Sequence, residues 1–123
     1  MSNPRSVSLQ TSAHELIVQK KKKLILDTGE HGEQMTQYEV GDKLLLQFNG
    51  LARSHRIFNL LAIIQRPTEV VKLQDVTEVQ LQQLVGHKEF DHRQLKQWLA
   101  HARPGERITD STLAYLVSFK ISN

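Results

Sequence analysis

The chain has 123 residues, enough for one domain that buries roughly two-thirds of its unfolded surface. Hydrophobic residues make up 39% and charged residues 24%, which excludes wholesale disorder, and no run reaches the roughly 20 apolar residues of a membrane-spanning helix. A net charge of +3 leaves an anionic partner open, while the absence of cysteine excludes disulfides, thiolate catalysis and thiolate zinc sites.

Residues 1–11 are polar and Ser-rich, without the apolar core of a signal peptide. The expectation is a frayed N-terminal segment on a cytoplasmic protein, followed by a single domain over 12–123. Ser12 and Glu15 have capping-box spacing, which predicts a short helix over 13–20. Four lysines, Lys20, Lys21, Lys22 and Lys23, then lead into an apolar triplet at 24–26, read as a short buried strand. Gly29, His31 and Gly32 mark a loop that continues through 33–37. In "YEVGDKLLLQFNG", the Gly41-Asp42 turn precedes a strand over 43–48 that Asn49-Gly50 closes.

The near-continuous apolar run over 56–65 predicts a strand covered on both faces or carrying a bulge. Pro67 ends it, and 69–73 supplies a further strand. Thr77 caps a helix that runs to Leu84, with Val79 and Leu81 or Leu84 turned inward. Asp91 caps a second helix, in which Leu95, Trp98, Leu99 and Ala102 recur at helical spacing until Pro104-Gly105 stops it. Finally Leu113, Tyr115, Val117, Phe119 and Ile121 alternate with smaller or polar residues, the pattern of an amphipathic strand. Strands gathered around short helices give an α+β class: a small, partly closed β-barrel of five or six strands with two or three flanking helices.

The succession "KKKKLILD", "YEVGDKLLL", "LQDVTEVQLQQLVG", "FDHRQLKQWLAHARPG" and "AYLVSFK" resembles the ASCH domain, a relative of the PUA domain, over roughly residues 12–121. That resemblance implies a compact barrel flanked by helices, with a cleft lined by a Gly-x-Lys turn and a nearby arginine. It also implies binding of RNA or nucleotides, and some small bacterial members deacylate acetylated cytidine through a Lys, a Thr and a Glu. On this sequence the motif lysine matches Lys22, with Lys23 as the one-residue alternative. Lys20 holds the glycine's place, Ile25 the threonine's and Asp27 the arginine's, and Glu89 stands in for the glutamate. Without a hydroxyl at Ile25 no nucleophile stands beside Lys22. An aspartate at position 27 turns an anion-attracting wall into a repelling one.

Taken by themselves, the lysines are the sharpest local feature. Side chains alternate faces along a strand, so about half of the four can enter one cleft and contact phosphate. The structural alternative is a solvated strand edge guarded by charge. Arg53, His55 and Arg56 in "GLARSHRIF" extend the patch if the first strands are neighbours; alone, like Arg66 before Pro67, they read as solvated. His87, His92 and His101 lack metal-ligand spacing, and neither G-x-S-x-G nor a Gly-rich phosphate loop occurs, so no metal or cofactor is expected. Tyr38 and Phe48 can stack on a base, although strand aromatics usually belong to the core.

The leading functional reading is therefore a non-enzymatic, ASCH-like module that binds RNA or a nucleotide-containing ligand. Lys22 and Lys23 would contact phosphate, with Lys43, Arg53 and Arg56 as secondary contacts. The alternatives are a small amidohydrolase on acylated nucleosides, with Lys22 as base and Glu89 assisting, and a protein-interaction domain without nucleic-acid binding.

Overall fold

The apolar pattern of the last strand sets the architecture. A computed structural model describes residues 5–19, 21–49, 58–85 and 90–122. Among the described residues, six strands form one mixed sheet: β1 (Arg5–Gln10), β2 (Leu24–Asp27), β3 (Lys43–Asn49), β4 (Phe58–Ile64), β5 (Glu69–Lys72) and β6 (Leu113–Ile121). Their order is β1-β3-β4-β6-β2, and β5 also pairs with β6. β6 pairs over 113–116 with β5, over 115–118 with β2 and over 119–121 with β4. β4 and β5 thus follow one edge of β6 and part at 65–68, where Pro67 cannot donate to a ladder. At that break Gln65 N still donates to Ser118 O at 2.9 Å.

β6 is buried on both faces. Tyr115, Val117 and Phe119 join Ile25, Leu44, Leu46 and Ile64 inside the curved sheet. Ala114 and Leu116 pack with Leu24 and Leu26 on the other face, against Leu81 of α3 (Glu78–Gln83) and Leu95 and Leu99 of α4 (His92–Ala102). The amphipathic reading of this strand is corrected accordingly: Ala114 and Leu116 are 0% and 1% exposed. A central strand with cover on each side has no solvent face to keep polar.

Both C-terminal helices begin with reciprocal capping boxes, Thr77 with Gln80 and Asp91 with Gln94. α3 turns Leu81 inward, but Val79, expected inside, is 72% exposed. In α4 Leu95 and Leu99 are buried, Ala102 is exposed, and Trp98 meets Phe90 edge-on at a ring separation of 5.6 Å. No described helix is long and apolar enough to cross a membrane.

Two segments differ from the sequence reading. Residues 5–10, expected to fray, form β1, a parallel edge strand in register with β3 from Arg5↔Leu44 to Gln10↔Asn49. Ladder bonds come from the backbone, so a polar strand pairs when its partner is supplied. It leads into α1 (Thr11–Val18). The expected loop at 29–37 contains α2 (Gly29–Met35). Here Gly32 serves close packing: a Cβ at this position would overlap the ring of Tyr115. That approach to β6 offsets glycine's helix cost of about 1 kcal/mol.

Because Leu116 closes the core beneath α3 and α4, Leu116→Ala should destabilise the fold by about 2–5 kcal/mol. Urea unfolding would show this as a lowered midpoint at unchanged slope; an unchanged midpoint would contradict the two-core arrangement.

Candidate functional site

The turn that precedes β2 gives adjacent lysines opposite environments. Lys21 takes φ 58°, a left-handed conformation uncommon outside glycine. Lys22 is 5% exposed, its backbone N donates to Leu16 O at 3.1 Å, and its Nζ donates to Gln82 O in the last turn of α3. An ammonium there satisfies a helix-terminal carbonyl and opposes the negative end of the helix dipole. The sequence reading sets Lys22 on phosphate; in the fold its charged end faces the protein and ties the lysine turn to α1 and α3. Lys23 is exposed, while its carbonyl accepts from Phe119 N at 3.1 Å.

Lys23 is among the residues that line a cleft of about 250 Å³ at the break between β4 and β5. Ser118 and Phe119 of β6 also line it, together with Gln65 and Arg66. α3 contributes Val79 and Gln83, four residues apart and therefore on one side of the helix. This placement accounts for the exposure of Val79: the helix presents it to the cleft rather than to the core.

Among the described residues that line this cleft, two are cations, Lys23 and Arg66, and one is a carboxylate, Glu69. Glu69 is held by Gln80, whose Nε2 donates to Glu69 Oε2 at 3.0 Å and whose Oε1 accepts from Thr77 N at 2.9 Å. Among the described residues, no ion pair engages Lys23 or Arg66. The described lining therefore carries a net positive charge, which attracts anions. Sequence reasoning leaves Arg66 solvated; in the fold it is exposed and lines the same cleft as Lys23.

Of the remaining candidates, Lys43 does not line the cleft. Lys43 is exposed at the first position of β3. Arg53, Arg56 and Glu89 fall outside the described residues. Phe48 is buried in the inner core with Tyr38 packed against it, and neither lines the cleft. Ile25 is 5% exposed in the same core.

Asp27 is not a repelling wall. Both its carboxylate oxygens are engaged by Arg103, with Nε to Oδ1 at 3.0 Å and Nη2 to Oδ2. This hydrogen-bonded pairing raises the guanidinium pKa above its ordinary value, against the opposing effect of burial, and the charge of Glu106 adds to it. Glu106 accepts from Oγ1 of the fully buried Thr28 at 3.1 Å. The cluster pins the start of α2 to the segment after α4. His92 has its Nε2 at 2.7 Å from Val76 O. Among the described residues, no group of three or more His, Cys, Asp or Glu is placed to hold a metal ion.

No protein-family model matches this sequence, and no curated protein matches it either. The fold itself has solved counterparts. A DUF984 protein from Enterococcus faecalis is similar over 99% of this chain and 78% of its own, with a TM-score of 0.63 at 13% identity. The ASCH domain from Lactobacillus crispatus is similar over 95% of this chain and 79% of its own, with a TM-score of 0.56 at 16% identity. At these identities the likeness establishes architecture, not chemistry. The chain has an ASCH-like α+β fold.

Proposed function

We propose that this protein binds RNA or a nucleotide-containing ligand in the cleft between Lys23 and Arg66. One observation carries the reading: Lys23 and Arg66, from segments far apart in sequence, both line one concave site, and neither has an ion-pair partner among the described residues. Lys23 and Arg66 contact phosphate, Arg66 with the planar fork suited to its oxygens. The amides of Gln65 and Gln83 each offer a donor and an acceptor to the edge of a base. At about 250 Å³ the cleft lies just below the usual ligand-pocket range of roughly 300–1,000 Å³. It suits a single base with its phosphate better than a stacked run.

In this reading Lys22 is a positioning residue. Its bond to Gln82 O holds the lysine turn against the helix that carries Gln83. The amidohydrolase alternative asks more of the same residue. Lys22 would have to leave that carbonyl to act as a base, and the neighbouring Ile25 is apolar and buried.

Anisotropy titrations of fluorescein-labelled single-stranded RNA at two salt concentrations test the cleft. Lys23→Ala/Arg66→Ala should bind more weakly, with the log–log salt slope shallower by about 0.7 for each phosphate no longer neutralised. Equal affinity and slope for the variant and the natural protein would refute it. A separate urea experiment distinguishes the two lysines. Lys22→Met should lose about 1–3 kcal/mol, because Gln82 O forfeits a charged donor. Lys23→Ala should stay within about 0.5 kcal/mol of the natural protein. Equal midpoints for the two variants would mean that the buried bond contributes nothing.

A further inference from the structure

Resting on the cleft reading, we propose that the bound nucleic acid continues out of the cleft across the open face of the sheet, over Lys120 and Lys43. The partner is then a single-stranded polynucleotide rather than a free nucleotide.

The strand register carries this inference. Phe119 is fully buried inside the sheet, so its neighbours Ser118 and Lys120 project from the opposite face. Ser118 lines the cleft, and Lys120 follows it on the same face of β6, two residues or about 7 Å further on. Lys120 is directly opposite Ile63 of β4, and Ile63 is directly opposite Lys43 of β3. Residues opposed in this way share a face, with about 5 Å between neighbouring strands, so Lys43 lies about 10 Å beyond Lys120. Leu44, the next residue of β3, is 1% exposed in the inner core, which fixes Lys43 on the outer side.

Ser118 at the cleft, Lys120 and Lys43 thus lie along one surface. Both lysines are exposed, and among the described residues neither has an ion pair. Between and beside them lie partly buried Ile63, Leu45 and Leu61, the last two paired across β3 and β4. They offer an apolar floor for bases while the lysines meet phosphates. α3 and α4 cover this face over Ala114 and Leu116, toward the other end of β6. Charge complementarity selects a polyanion, and the spacing of cations along an apolar floor favours nucleic acid over an acidic peptide.

The test compares labelled trinucleotide and dodecanucleotide oligouridylates on the natural protein and on Lys43→Gln/Lys120→Gln, by anisotropy. The natural protein should bind the longer RNA more tightly. The variant should bind it several-fold more weakly, with a salt slope shallower by about 1.4 for two phosphates, and should lose most of the length preference. An unchanged length preference in the variant would overturn the path while leaving the cleft intact. If instead Lys23→Ala/Arg66→Ala bound both RNAs as the natural protein does, the cleft itself would fall. Displacement of the longer RNA by polyglutamate as readily as by unlabelled RNA would also overturn the proposal, in favour of an acidic protein partner.

Discussion

The constraint on which this fold depends is the burial of β6 on both faces. A strand with apolar side chains on each side needs two covers, and this chain supplies them differently. The curled sheet encloses Tyr115, Val117 and Phe119, while α3 and α4 seal Ala114 and Leu116. Along its edge β6 exchanges one partner, β5, for another, β4. The exchange leaves a gap in the sheet at Pro67, and that gap is the cleft. The candidate site is therefore a by-product of how one long strand is shared between two shorter ones.

Lys22 shows how a charged residue becomes architecture. A buried ammonium is tolerated only when its hydrogen bonds are made. Here the partner is a carbonyl in the last turn of α3, where the helix dipole favours positive charge. The bond fixes the lysine turn to the helix on the far side of the cleft and leaves the neighbouring Lys23 to face solvent. Asp27 and Arg103 do similar work at the other end of β2, where a bidentate pair consumes the charge that stands in the family's arginine position. Lys23 and Arg66, which line the cleft, have no ion pair among the described residues.

An ASCH-like architecture with no matching family model or curated protein places the weight of functional argument on the site. The two positions where the resemblance is weakest, Ile25 and Asp27, are occupied by a core residue and by half of an ion pair. The site instead draws on Arg66, Gln65 and Gln83, which no motif marks. The outer sheet face adds Lys120, a residue that is meaningful only beside Ser118 and opposite Ile63.

What the sequence determined by itself was local. Thr77 and Asp91 announce helix starts because a cap needs only the next three residues, and the apolar runs at 43–48 and 113–121 announce strands because alternation is a property of adjacent side chains. Their succession was enough to suggest the ASCH-like class. The tertiary structure decided everything that needs a distant partner. β1 exists because β3 offers a parallel edge, and α2 packs because Gly32 fits against Tyr115. Val79 faces outward because α3 borders the cleft. Strand alternation limited about half of the lysines to one side, but only the Gln82 carbonyl determined that Lys22 turns inward. Arg66 and Lys23 line one cleft because Pro67 interrupts a ladder along β6, and no pattern within either segment encodes that placement.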